Sequence, residues 1–116
     1  MRDLVDIAKV LSDETRVRML KLLLEREICV CEMLEIIQLS ESQISRNLKM
    51  LAEAGFLKRS RDGKCIVYAI DRENGNRRCQ AILDLLAESY NDTKLVQEDR
   101  ARLRKVIAEQ VREKKR

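Results

Sequence analysis

Cys29 and Cys31, in the run Glu27-Ile28-Cys29-Val30-Cys31-Glu32-Met33-Leu34, are the residues whose type and spacing carry the most chemistry in this chain. Two thiols one residue apart make a local chelate for a soft, thiophilic ion. They fall where one helical pattern hands over to the next. An α-helix turns by about 100° per residue, so side chains at i and i+2 point roughly 200° apart and cannot share an ion inside an unbroken helix. A shared ion therefore requires extended backbone at the pair, or a rearrangement there. A free cysteine is more often a small buried hydrophobe, but two of them at a helix boundary favour a site. The chain has no His, which excludes Ser-His-Asp and Cys-His catalysis and imidazole-based zinc sites. It also lacks Cys-x-x-Cys and a phosphate-type cysteine loop in an α/β setting, so no enzyme is expected.

The elements that must position this pair follow from periodicity. Leu4, Ile7, Ala8, Val10 and Leu11 recur at helical spacing and predict a first helix ending at Ser12. Ser12-Asp13-Glu14-Thr15 offers a serine N-cap and two carboxylates for a second helix, carried on by Val17, Met19, Leu20 and Leu22 to Leu24. Met33, Leu34, Ile36, Ile37 and Leu39 predict a short third helix. Ser40-Glu41-Ser42-Gln43 is a capping box that opens a fourth at about Glu41, with Ile44, Leu48, Leu51 and Ala52 inward and Ala54-Gly55 as its stop. Phe56 to Ser60 and Cys65 to Ile70 flank an Asp62-Gly63 turn, a strong hairpin signal. Asn74-Gly75-Asn76 punctuates the chain before a fifth helix from about Arg77, with Ala81, Ile82, Leu85, Leu86 and Tyr90.

Two short helices on a tight turn make a helix-turn-helix, and the basic hairpin after it makes a wing. The polar face of the fourth helix carries Ser42, Gln43, Ser45, Arg46, Asn47 and Lys49, groups that bond base edges and phosphates. Arg59, Arg61 and Lys64 surround the hairpin tip and suit phosphate contact. Residues 1–91 balance 15 basic against 15 acidic groups, and the net charge of +4 lies wholly in residues 92–116, with 9 basic and 5 acidic. The local stripe, rather than net charge, is what points to double-stranded DNA.

At 116 residues, 45% apolar, 3% aromatic and without Pro, the chain suits one mainly α domain with a small β-hairpin. The expected division is a winged helix-turn-helix domain for DNA binding and dimerisation over 1–91 and a charged helix or tail over 92–116. No run is long and apolar enough to span a bilayer or to serve as a signal peptide, so a cytoplasmic protein with free thiols is expected.

Leu11-Ser12-Asp13-Glu14-Thr15-Arg16, Glu27-Ile28-Cys29-Val30-Cys31-Glu32, Ile44-Ser45-Arg46-Asn47-Leu48, Ala54-Gly55 and Gly63-Lys64 with Tyr68 resemble the ArsR/SmtB family of winged-helix, metal-responsive repressors, and its arsenic-responsive branch in particular. The resemblance covers about residues 4–70. It implies a homodimer that sits on operator DNA without any cofactor and leaves when an ion binds. It also implies inducer ligands at Cys29 and Cys31, and a dimer interface from the first and fifth helices, with Leu4, Ile7, Ala8, Leu11, Ile82, Leu85 and Leu86. Leu34 stands where the family's arsenic box often has a third cysteine, and Asn47 where His is frequent.

As(III) or Sb(III) is the inducer that the resemblance favours. The alternatives are a Cd(II), Pb(II) or Zn(II) sensor of the same fold and a thiol redox sensor. The third sulfur is open between Cys65, Cys79 and an exogenous thiol. Cys65 opens the second wing strand and Cys79 the fifth helix; neither neighbours the pair in sequence, so both are expected to be packed thiols whose replacement changes release little.

Overall fold

The computed structural model describes residues 1–73 and 76–115. Helices α1 (Arg2–Leu11), α2 (Glu14–Leu23), α3 (Val30–Ile36) and α4 (Glu41–Ala54) alternate with a two-residue strand β1 (Ile28–Cys29) and lead into β2 (Leu57–Asp62) and β3 (Cys65–Ile70). Helices α5 (Arg77–Glu88), α6 (Lys94–Ala108) and α7 (Val111–Lys115) complete the chain. The strands form one antiparallel sheet in the order β1-β3-β2. This is the winged helix-turn-helix that the sequence indicates, with α3 and α4 as the helix pair and β2-β3 as the wing.

Local chemistry sets most boundaries. Ser40 accepts the Gln43 N–H and Gln43 accepts the Ser40 N–H, a complete capping box at α4, and Gly55 ends that helix at φ 104. Asp13, rather than Ser12, caps α2: its carboxylate accepts the Thr15 and Arg16 N–H groups, while the Ser12 hydroxyl donates back to the Lys9 carbonyl and closes α1. A carboxylate is the stronger acceptor beside a helix N-terminus, which explains the one-residue shift. Helix α3 starts at Val30, three residues before the Met33 that apolar spacing suggests, because Cys29 takes the N-cap. The hairpin loop is Gly63-Lys64, with Asp62 still paired to Cys65; Gly63, at φ 63, holds the position that needs a glycine. Of the Asn74-Gly75-Asn76 break, the first two residues lie outside the described residues, and Asn76 caps α5.

Leu20, Leu22, Met33, Ile44, Leu48, Leu51 and Phe56 are fully buried and form the centre on which α2, α3, α4 and the sheet converge. Helix α6 packs on α2 and α3, and the Arg18 guanidinium pairs with both oxygens of buried Asp99 at 2.9 Å. At the outer surface Arg78 of α5 meets Asp3 of α1 at 3.1 Å. Among the residues expected at a dimer face, Leu4, Ala8 and Leu85 are exposed, and Leu11 and Ile82 are half-buried. Ile7 and Leu86 are buried in the core of the single chain, Ile7 on the same inward stripe of α1 as Val10. Among the described residues no helix is long and apolar enough to cross a membrane.

Arg16 acts as a staple between three helices. Its guanidinium donates to the Val10 carbonyl at 2.6 Å and the Lys9 carbonyl at 3.3 Å, at the C-terminal end of α1, and to the Asn47 side chain of α4 at 3.0 Å. Hydrogen bonds from a charged donor are worth about 1.5–3 kcal/mol. Arg16→Ala is expected to lower unfolding stability by about 2 kcal/mol in a urea titration, with the transition still cooperative.

Candidate functional site

The thiol pair sits on the seam between β1 and α3. Cys29 is extended, at φ −87 and ψ 162, and Cys31 lies in the first helical turn. The change from extended to helical backbone between them cancels the 200° divergence of an unbroken helix, so the two sulfurs meet at 2.6 Å. That is longer than the roughly 2.05 Å of a disulfide, and both thiols are free. Cys29 also caps its own helix: its sulfur accepts the Glu32 N–H at 3.4 Å, and Glu32 Oε1 accepts the Cys29 N–H at 2.8 Å. A cysteine thus fills the place that serine or threonine usually holds in a capping box.

Cys65 joins the pair from the wing. The β1-β3 ladder sets Cys29 opposite Val67, two residues along β3 from Cys65, and residues i and i+2 of a strand share a face. The Cys65 sulfur lies 3.8 Å from that of Cys31, and all three sulfurs fall within 4.8 Å of one another. With metal–sulfur bonds of about 2.3 Å, three sulfurs around one ion stand at most about 4 Å apart, a spacing close to that of the three thiols. Cys79, by contrast, is buried at the start of α5, with its thiol donating to the Ala54 carbonyl at 3.4 Å, outside the cluster.

An acidic shell and one arginine back the thiols. Buried Arg112, from α7, donates to Glu32 Oε1 at 2.8 and 3.2 Å and to Glu27 Oε1 at 2.8 Å, with Asp62 at 3.7 Å. Burial pushes the Cys29 and Cys65 thiols up, and their sulfur neighbour Cys31 adds to the effect. Burial works against the Glu32 charge too, yet the Cys29 N–H and the Arg112 guanidinium outweigh it and hold the carboxyl below the usual glutamate range.

The residues expected to meet DNA lie largely on one side. Ser42, Gln43, Arg46 and Lys49 of α4 and Arg59, Arg61 and Lys64 of the wing are exposed, and Ser45 is half-buried. Ser45, Lys49 and Arg59 line one cleft between α4 and the sheet. Asn47 is half-buried, and its side-chain oxygen accepts from Arg16, which ties α4 to α2. A second cleft, of about 350 Å³, is lined by Cys31 and Cys65 together with Ser45 of α4 and Lys64 of the wing tip. The thiols and the polar face therefore open onto common ground.

The profile of the bacterial regulatory protein, arsR family, matches residues 13–59. An arsenical resistance operon repressor from Staphylococcus aureus is 31% identical over 90 residues, covering 78% of this chain and 79% of that protein. This chain belongs to the arsR family. The cadmium resistance transcriptional regulatory protein CadC homolog of Staphylococcus aureus is 38% identical over 73 residues, covering 62% of this chain and 60% of its own length. The crystal structure of a possible transcriptional regulator for arsenical resistance superposes with a TM-score of 0.56 at 30% identity, over 71% of this chain and 80% of that one. The chain spans about half to three fifths of the length of several arsenic- and cadmium-resistance regulators that it matches.

Two features of this arsR-family chain escape sequence reasoning: the place of Cys65 in the cluster and the reach of Arg112. Alternation offers a faint signal for the first, because Cys65 and Val67 share a strand face, but nothing in the sequence announces the two-residue β1 that brings that face to Cys29. For Glu32 a pH consequence follows. Its depressed folded-state value contributes stability that is present above the ordinary glutamate value of about 4.3 and lost as pH falls through the lower folded value. Acid unfolding from pH 5 downward is expected to be steeper for the wild type than for Glu32→Gln, as followed by helical circular dichroism.

Proposed function

We propose that this chain is a metalloid-responsive transcriptional repressor that binds operator DNA as a homodimer and is released when As(III) or Sb(III) is captured by Cys29, Cys31 and Cys65. The observation that carries this proposal is the convergence of three free thiols, from the start of α3 and the start of β3, on one point beside the polar face of α4. The resemblance to arsenical resistance repressors supports it. Residues 1–91 supply the DNA and dimer surfaces in this account, and the segment beyond 91 packs behind them.

The donor set suits a trivalent metalloid. Neutral As(OH)₃ condenses with three thiols so that three S–As bonds replace three As–O bonds, each thiol proton leaving with a hydroxide as water. No net charge enters the site and no proton is released. This matters where burial already disfavours thiolates. A divalent cation instead requires three thiolates, releases three protons and leaves a net negative charge among Glu27, Glu32 and Asp62. The CadC homolog keeps that second reading in play, and proton release separates the two: arsenite affinity is expected to stay flat between pH 6 and 8, whereas Cd(II) affinity would climb with pH.

Capture stitches the start of α3 to Cys65, the residue after Lys64. This link adds to the ladder and the Arg112 contacts that already join the wing to α3 and draws the wing tip to a new position against the helix pair, so arrangements that dock both α4 and the wing on DNA lose stability relative to free protein. A differential of about 2–3 kcal/mol lowers operator occupancy roughly 30- to 150-fold. Arg46, Ser45, Gln43 and Ser42 would face the major groove, and Arg59, Arg61 and Lys64 the phosphates. Leu4, Ala8, Leu85 and exposed Tyr90 would lie near the two-fold axis.

An electrophoretic shift on the chain's own promoter tests this directly. Wild type is expected to bind and to be released by arsenite. Cys29→Ser, Cys31→Ser and Cys65→Ser are expected to bind equally well and resist release, with Cys79→Ser behaving as wild type. Failure of Cys65→Ser to impair release would return the site to the two sequence-adjacent thiols. Arg61→Ala is expected to weaken binding to all sequences and flatten its salt dependence, while Arg46→Ala also relaxes sequence preference. Sedimentation at micromolar concentration is expected to show a dimer.

A further inference from the structure

The segment beyond α6 does more than trail from the domain. Gln110, at φ 54, takes the left-handed conformation and reverses the chain after α6, so that α7 folds back onto α3. A non-glycine residue held there costs about 1 kcal/mol, which docking must offset. The docking contacts are specific. Arg112 is buried, and its guanidinium gathers acidic side chains from three separate elements: Glu27 before β1, Glu32 in α3 and Asp62 at the end of β2. Two of these elements flank the thiols directly. Glu32 accepts the backbone N–H of Cys29, and Asp62 is the strand partner of Cys65. The Arg112 carbonyl stands 4.0 Å from the Cys65 sulfur, and Lys115 lines the cleft onto which Cys31 and Cys65 open.

We propose that α7 is a strap over the three-thiol cluster, with Arg112 as the positioning residue that holds it shut and limits access to Cys31 and Cys65. One guanidinium ties the start of α3 to the wing before any ion arrives, and so keeps the sulfurs in register. Opening the strap exposes Cys65 and frees the acidic groups, which admits the inducer; closing it buries the loaded site. Without Arg112, three carboxylates would face one another around the thiols, and the same repulsion would spread them.

Access is read without any ion, by timed alkylation of the apo chain with iodoacetamide, each cysteine peptide being quantified by mass spectrometry. Cys79, fully buried and remote from α7, is the internal control for global unfolding. Arg112→Ala, and a chain ending after Gln110, are expected to speed alkylation of Cys31 and Cys65 by roughly tenfold with Cys79 unchanged. Arg112→Lys, which keeps the charge but not the forked geometry, is expected to fall between. Glu27→Gln, at a half-exposed partner, is expected to give a smaller rise in a chain that folds normally. Unchanged Cys31 and Cys65 rates in the Ala and shortened chains overturn the proposal, as does a parallel rise at Cys79, which marks a general loss of structure. The cluster's part in arsenite sensing underlies the strap's purpose but not this measurement. Faster alkylation in a chain that never responds to arsenite would leave the strap standing and remove the proposed inducer.

Discussion

Everything at the site depends on where α3 begins. An unbroken helix through Cys29 and Cys31 would throw the sulfurs to opposite sides, while a strand through both would place them on one face but leave the helix-turn-helix without its first helix. The chain changes from extended to helical backbone between the two residues, and Cys29 is at once the last residue of β1 and the N-cap of α3. The capping box with Glu32 stabilises that boundary, since it satisfies two N–H groups that would otherwise be orphaned. The β1-β3 ladder then fixes the boundary relative to the wing and carries Cys65 to the pair. In the proposed account this sulfur is both a cap and a ligand, which would couple the ion's grip to the integrity of the helix.

Much of this architecture was legible from local rules. The capping box at Ser40, the glycine stop at Gly55 and the alternation around Gly63 each act within a few residues, so the sequence reports them faithfully. Most of what local rules leave out involves partners far apart in the chain, although one cap shifts for a local reason. Asp13 displaced Ser12 as a cap because the serine hydroxyl found a carbonyl one turn back in α1. Asn47 looks like a member of a polar outer face until Arg16, 31 residues earlier, claims its oxygen. Ile7 and Leu86 carry the apolar spacing of a helix face, and the single chain's core takes both. Cys65 sits 34 residues from Cys31, and Arg112 sits 80 and 85 residues from Glu32 and Glu27, and no periodicity encodes such distances.

The thiols stand in an unusual charge setting. Three carboxylates stand behind the sulfurs, and one arginine neutralises only part of them. Such a setting disfavours adding further negative charge as thiolates. Beyond residue 91, α6 packs through buried apolar residues, and α7 brings Arg112 to the carboxylates. Its guanidinium is the counter-charge that lets an acidic helix start and an acidic hairpin end approach each other.

The central claim is that one inducer ion takes three sulfurs from this chain, two from the start of α3 and one from the wing. Arsenic X-ray absorption of the loaded, purified chain without added thiol tests it most directly. Three sulfur neighbours per arsenic in the wild type, falling to two sulfurs with an oxygen in Cys65→Ser, is the result expected. Two sulfurs and an oxygen already in the wild type, or three that survive the loss of Cys65, would contradict it.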